Sequence, residues 1–224
     1  MIRGFDTVPT GKLVRITAVL AAGLALAACA GTAPTARTVR TVPTVKHLAA
    51  ASLHQEQGGF TLAEDVRVGA DVRADFSSAV RLLTAKQYAQ GITLMLNVTR
   101  KAPNLVAAHV DLGIAYEMEG DLDKAQASLE RALALDPRHV VAYNELGMVL
   151  RRQGRFAAAR ASYEKALAIA PQFHYARLNL AILCDLYIGD LKCARDNYEA
   201  YRQEVPGDER TALWIRDLTT RTAQ

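Results

Sequence analysis

Apolar residues recur every three to four positions along most of this chain, the spacing that places them on one face of a helix. The pattern covers about residues 72–221 and is interrupted at intervals by glycine and proline. Two stretches before it differ. Residues 16–28 are apolar or small apart from Thr17, and residues 30–59 sustain neither a period of 2 nor one of 3.6. The pattern therefore predicts a helical region that follows an apolar segment and an unstructured one.

The helical region repeats itself with a period of 34 residues. Residues 106–139 superpose on residues 140–173 with small, aromatic and turn-forming residues in register. The matched pairs are Leu112 with Leu146, Gly113 with Gly147, Gly120 with Gly154, Ala125 with Ala159, Leu129 with Tyr163, Ala132 with Ala166, and Pro137 with Pro171. This pattern resembles the tetratricopeptide repeat, including its Leu-Gly pair, an aromatic residue three positions later (Tyr116) and a closing proline.

A further unit on each side departs from the pattern. Residues 174–208 contain one extra residue, Leu180-Ala181 replaces Leu-Gly, and Cys184 replaces the aromatic residue. Residues 72–105 keep a closing proline but have Ser78-Ala79 in place of Leu-Gly, and Gly91 in place of the packing alanine. We predict that 72–105 is a degenerate repeat. Its membership of the array is left open.

The resemblance implies an all-α fold, an α-solenoid of antiparallel helix pairs. Small residues such as Gly113 and Ala125 would lie where two helix backbones approach most closely, and Gly120 and Gly154 would form turns with positive φ. Because the last repeat needs a cap, we assign residues 209–224 to a C-terminal capping helix and tail. We expect its apolar side to consist of Leu213, Ile215 and Leu218.

Residues 1–28 have the pattern of an export signal, with Lys12 and Arg15 before the apolar run. The run ends in Leu26-Ala27-Ala28-Cys29, which resembles the lipobox of bacterial lipoproteins. The resemblance implies acyl chains on Cys29 and a lipid anchor in the membrane. Position 30 is Ala rather than the Asp that resembles an inner-membrane retention signal, which favours the periplasmic face of the outer membrane in a Gram-negative bacterium.

Residues 29–59 are rich in Thr, Ala and Pro and are predicted to form a disordered tether, followed by a lead-in segment at 60–71. The bases of the tether serve either solubility or weak attraction to anionic headgroups. Six of the 27 basic residues and one of the 23 acidic residues lie before residue 56. The remainder carries 21 bases and 22 acids, so it has no excess of positive charge with which to bind nucleic acid.

Composition and motifs give no support for catalysis. Half of the residues are hydrophobic and only 6% are aromatic, which favours closely packed helices over a β-sandwich. The chain has no His-Glu-x-x-His, Gly-x-Ser-x-Gly or phosphate-binding glycine loop. We therefore predict no enzyme, no catalytic residues, no cofactor and no metal.

Cys184 and Cys193 remain as a pair once Cys29 is assigned to lipid. In an exported chain such a pair suggests a disulfide, and the two helices of the unit meet near Gly189, which makes a bridge geometrically reasonable. The alternative is two small buried hydrophobic residues.

The resemblance also implies a concave groove lined by the first helix of each unit. Its positions carry over to Val110, Ile114, Glu117, Met118, Asn144, Met148, Arg151, Arg152, Tyr175, Leu178, Ile182 and Asp185. Val110 and Ile114 stand where relatives that clamp a carboxylate use Lys and Asn, so tail recognition of that kind is doubtful. We expect the groove to bind a protein helix or extended segment, unless these residues contact neighbouring helices or the chain's own termini instead.

The function these expectations favour is a membrane-anchored adaptor of an envelope complex. The complex would be a pilus or secretin, a cell-wall enzyme or an energy-transducing system. The alternative is a passive or self-assembling spacer. The sequence leaves the partner and the oligomeric state open.

Overall fold

A computed structural model of the chain describes residues 52–56, 59–63 and 68–222. Apart from one hairpin, the described part is helical. The helices are α1 (Ala70–Thr84), α2 (Tyr88–Lys101), α3 (Val106–Glu119), α4 (Leu122–Leu135), α5 (Val140–Arg152), α6 (Phe156–Ile169), α7 (His174–Leu183), α8 (Leu191–Glu204) and α9 (Glu209–Thr222). None of these helices combines the length and the apolar character needed to cross a membrane.

The helices pack as successive pairs, α1 with α2, α3 with α4, α5 with α6 and α7 with α8, and each pair packs on the next. The helices α3, α5 and α7 begin at Val106, Val140 and His174, which are the first residues of three predicted units. They also contact one another in sequence, whereas the second helices of neighbouring units hardly touch. The first helices therefore form the inner layer of an all-α solenoid.

Close helix approach explains the glycines of the repeat. A Cβ atom on Gly113 would lie 2.5 Å from Cγ of Leu129 on α4, and one on Gly147 would lie 2.4 Å from Cε1 of Tyr163 on α6. In the pair α1–α2 the glycine stands on the second helix instead, since a Cβ on Gly91 would lie 2.4 Å from Cδ2 of Leu83. The degenerate unit thus achieves the same close contact from the opposite helix.

The core is continuous from pair to pair. One buried cluster joins α1 and α2 to α3, a second runs from α3 to α9, and Tyr116 packs against both. Residues 72–105 therefore share a core with the pair α3–α4.

The extra residue of the unit 174–208 is accommodated in the backbone of its first helix. The α-helix α7 ends at Leu183 and continues as one π-helical turn, Cys184–Ile188, before the turn glycine Gly189 (φ 77°). In the two preceding units, Gly120 (φ 85°) and Gly154 (φ 75°) end the first helix without such a turn. A π turn accommodates about one residue more than an α-helical turn, so Gly189, Ala194 and Tyr198 keep the places of Gly154, Ala159 and Tyr163 despite the insertion.

The helix α9 caps the array at the predicted place. Asp208 precedes it and accepts hydrogen bonds from the backbone N–H of Arg210 (3.1 Å) and from Oγ1 of Thr211 (3.2 Å). Leu218 is fully buried and Ile215 is partly buried, but Leu213 is 52% exposed. The expectation for Leu213 was wrong, because α9 packs chiefly on α8 and no further described helix covers its other side.

Residues near the predicted tether boundary form a structure that the sequence analysis did not anticipate. The strands β1 (Ser52–Glu56) and β2 (Gly59–Ala63) pair antiparallel, with Glu56 opposite Gly59. This hairpin spans the predicted boundary between the disordered tether (29–59) and the lead-in segment (60–71). The predicted signal peptide, Cys29 and most of the tether lie outside the described residues.

Candidate functional site

The inner face of the solenoid, formed by α3, α5 and α7, is the candidate binding site. Its predicted lining residues divide into two groups by exposure. Exposed or partly buried residues are Ile114, Met118, Met148, Arg151, Arg152, Tyr175, Leu178 and Asp185, and largely buried residues are Val110, Glu117, Asn144 and Ile182. The face accessible to a partner is therefore a mixed apolar and charged strip.

Burial removes part of the predicted lining. Val110 is 0% exposed, Asn144 3% and Ile182 4%. These three residues are unavailable for direct contact with a partner, which corrects the predicted lining. Asn144 instead accepts a hydrogen bond from Asn179 of the next unit.

Polar side chains connect the inner helices at a spacing of 35 residues. Nη1 of Arg152 on α5 donates to Oε1 of Glu117 on α3 at 2.7 Å. Nδ2 of Asn179 on α7 donates to Oδ1 of Asn144 on α5 at 2.9 Å. Both bonds bridge consecutive units, so they fix the angle between inner helices as well as the polarity of the groove.

The hydrogen-bond chain ends on Glu145, which sequence reasoning did not select. Nδ2 of Asn144 donates to Oε1 of Glu145 at 3.0 Å. Partial burial, with a smaller contribution from the nearby Glu117, raises the pKa of the Glu145 carboxyl group to about 7. Within residues 68–222, no Lys, Arg or His forms an ion pair with Glu145. The groove thus contains a carboxyl group that the fold leaves without a cation.

Glu145 was missed because the positions carried over from the family exclude it. It occupies the same place in its unit as Asp111 and Asn179 do in theirs, 34 residues away on either side. A row of hydrogen-bond acceptors at one repeat position was the available signal.

The predicted groove residue Arg151 faces the next unit rather than open solvent. Its guanidinium carbon lies 5.3 Å from the centre of the Tyr187 ring, whose other neighbour is Phe156 at 5.3 Å between ring centres. Tyr187 and its neighbours Leu186 and Ile188 in the π turn are nevertheless exposed by 45%, 56% and 39%.

Asp185 also has a structural role. Its carboxylate forms an ion pair with Arg221 of α9 and accepts a hydrogen bond from Tyr198 Oη at 3.4 Å. The contact ties the π turn to the capping helix. We therefore remove Asp185 from the residues that would contact a partner.

Cys184 and Cys193 are joined by a disulfide, with sulfur atoms 2.07 Å apart. The bond links the π turn to the first turn of α8, where Asp190 caps the helix by accepting from the backbone N–H of Cys193 at 3.0 Å. The two sulfurs and the Asp190 carboxylate lie within 4.8 Å of one another, the geometry of a possible metal site. In the disulfide-bonded form the sulfurs have no thiolate charge, and Asp190 is already engaged by Arg160.

A second concave feature lies on the outer side, between α6 and α8. Its charged side chains satisfy one another, since Arg160 bridges Glu164 (2.9 Å) and Asp190 (3.2 Å), and Lys192 pairs with Asp196 (2.6 Å). The cleft is open and polar. It offers no unpaired group to a ligand comparable to Glu145.

Comparison with known proteins supports the fold. Residues 110–172 match the sequence profile of the family described as tetratricopeptide repeat. The helix pairs, their glycine contacts and this match all indicate the same fold. The fold is a tetratricopeptide-repeat solenoid. A comparison with curated proteins gives no match.

Solved structures of this fold superpose on most of the chain. MamA from Desulfovibrio magneticus RS-1 is similar with a TM-score of 0.63 and 19% identity over 70% of this chain and 88% of MamA. PilF of Pseudomonas aeruginosa gives a TM-score of 0.62 and 20% identity over 68% of this chain and 69% of PilF. The first tetratricopeptide domain of Spaghetti, bound to an HSP90 peptide, gives a TM-score of 0.51 and 18% identity over 53% of this chain and 94% of that domain. At these identities the likeness concerns the fold.

Proposed function

We propose that this chain is an adaptor that binds a segment of another protein along the inner face of its solenoid. The observation that carries the proposal is the inner face itself, where Ile114, Met118 and Met148 leave apolar surface partly exposed beside a carboxyl group that lacks a cation. A mixture of adaptable methionine and fixed polar groups suits a helix or an extended peptide. The peptide bound to the similar domain of Spaghetti is consistent with this use of the fold.

We further propose that the adaptor is anchored by lipid on Cys29 at the periplasmic face of the outer membrane. The support is the apolar run that ends in Leu26-Ala27-Ala28-Cys29, together with Ala30. A tether formed by residues 29–51, which would span up to roughly 80 Å if extended, would let the solenoid reach an envelope complex away from the bilayer surface. The class of complex proposed is a pilus or secretin, a cell-wall enzyme or an energy-transducing assembly.

Affinity purification from crosslinked envelopes tests the proposal. The native chain is compared with a variant carrying Ile114→Glu and Met148→Glu, which places two charges on the apolar strip. As a matched control, Leu96→Glu introduces a charge at an exposed leucine of α2. We expect one or two proteins to be enriched with the native chain and the control, and lost with the groove variant at unchanged helical circular dichroism.

Two outcomes would contradict the adaptor. Purification of the chain alone would favour a passive or self-assembling lipoprotein. If a folded groove variant captured the same proteins undiminished, the binding surface would lie elsewhere than on the inner face.

A further inference from the structure

The inner face has an uneven distribution of charge. Glu117 is compensated by Arg152, and Asp185 is compensated by Arg221. Glu145, on the helix between them, accepts a hydrogen bond from a neutral amide only. The groove therefore presents one uncompensated carboxyl group at the centre of the array.

The surroundings hold this group in place. The bond from Asn179 to Asn144 and the bond from Asn144 to Glu145 form a chain that spans α5 and α7. Met148 lies one turn further along α5, and its sulfur is 3.9 Å from the Asn144 amide. A carboxyl group oriented by its neighbours and flanked by a polarizable apolar side chain is a preorganised acceptor for a long basic side chain.

We infer that the segment bound in the groove presents a lysine or arginine side chain to Glu145, with apolar residues on either side that cover Ile114 and Met148. This inference rests on the proposed function. The ammonium or guanidinium group supplies the positive charge that the fold does not, and its aliphatic stem covers the thioether of Met148. Carboxylate-ended or acidic segments are disfavoured, because the carboxyl group of Glu145 has no cation beside it and would repel a second carboxylate.

Selection from a random peptide display library tests the inference directly. The full-length purified chain is the bait, and the strongest peptide is then remade with its basic residue replaced by norleucine. We expect enriched peptides to share one Lys or Arg among apolar residues, and the norleucine version to bind at least about tenfold more weakly. The variant Glu145→Gln should bind both versions equally. The variant Glu199→Gln, an exposed glutamate on α8, should keep the tenfold preference.

The carboxyl resonance of Glu145 provides a second measurement. If a basic side chain binds it, the measured pKa of Glu145 must fall on addition of the basic peptide and stay unchanged with the norleucine version, because a tenfold preference for the charged carboxylate equals one pKa unit.

The results separate this inference from the function on which it rests. Enriched peptides without a basic residue, or the same preference with Glu145→Gln, would overturn the inference and leave the groove as a binding site. If the native bait enriched peptides no more strongly than a bait carrying Ile114→Glu and Met148→Glu, the proposed function would be contradicted as well.

Discussion

Gly147 on α5 and Tyr163 on α6 are in contact only because position 147 has no side chain, since a Cβ atom there would lie 2.4 Å from Cε1 of the tyrosine ring. Tyr163 is fully buried, and burial raises the pKa of its hydroxyl group. The pair thus sets the distance between the two helices of its unit.

We predict that Gly147→Ala lowers the free energy of unfolding. Overpacking costs about 1–3 kcal/mol, which outweighs the gain of up to about 1 kcal/mol that alanine gives in a helix interior. Urea unfolding followed by circular dichroism measures the difference. Gly207→Ala is the control, since nothing lies within 4 Å of its Cβ. A Gly147→Ala chain as stable as the native one would show that the helices can separate at little cost.

The disulfide should stabilise the π turn against α8. It closes a short loop with a sequence separation of 9, for which chain entropy gives about 2–3 kcal/mol. We expect a double variant with Cys184→Ala and Cys193→Ala to melt at a lower temperature than the native chain. Adding reductant should lower the melting temperature of the native chain and leave that of the variant unchanged. Two free thiols in the mass spectrum of the exported protein would contradict the bridge.

Glu145 predicts a pH dependence of stability. Its pKa is about 7 when the chain is folded, against an ordinary value of 4.5 for a glutamate side chain, so the folded chain holds a proton between pH 4.5 and 7 that the unfolded chain releases. Stability therefore falls as pH rises through this window, by about 1–3 kcal/mol. The other charged group that acts on it is Glu117 on α3, which is itself paired with Arg152.

The variant Glu145→Gln isolates this effect from other titrating groups such as His174, whose pKa is lowered by burial. The difference in unfolding free energy between the variant and the native chain should grow in the variant's favour from pH 4.5 to pH 8. A difference independent of pH would show that the carboxyl group is well solvated.

The lipid anchor is tested by Cys29→Ser. We expect the native chain to sediment with outer-membrane vesicles and to incorporate labelled palmitate, because two or three acyl chains give stable anchoring where one does not. The serine variant has no sulfur for a thioether, so it should neither fractionate with membranes nor carry label. If the serine variant still carried labelled palmitate, the acylated residue would be one other than Cys29.

The sequence predicted the helices of the solenoid well because hydrophobic periodicity, turn glycines and helix-ending prolines determine structure over a few neighbouring residues. Val106, Val140 and His174 begin helices at the predicted unit starts, and Gly120 and Gly154 adopt the positive φ expected of turn residues. The single extra residue in the unit 174–208 was visible, but its location in a π turn was not. A one-residue insertion fits a loop equally well, and the choice depends on packing by Cys184, Asp185 and the capping helix.

The groove was harder to predict because exposure depends on how closely neighbouring units stack. Val110, Asn144 and Ile182 lie on the expected helices yet are buried. Glu145 lies outside the positions carried over from the family, and its raised pKa follows from partial burial and from Glu117, a residue 28 positions earlier in the chain. The row of Asp111, Glu145 and Asn179 marks the position, but the pKa shift depends on contacts between units that the sequence does not reveal.

Site-specific photocrosslinking in living cells tests the central claim most directly. A photoreactive amino acid replaces Met118, which is 37% exposed beside the inner face, and in a separate chain replaces Lys165, which is exposed on the second helix α6. The account predicts a discrete crosslinked partner from position 118, lost when Ile114→Glu and Met148→Glu are added, and none from position 165. Equal crosslinking from both positions, or crosslinks from position 165 alone, would contradict binding by the inner face.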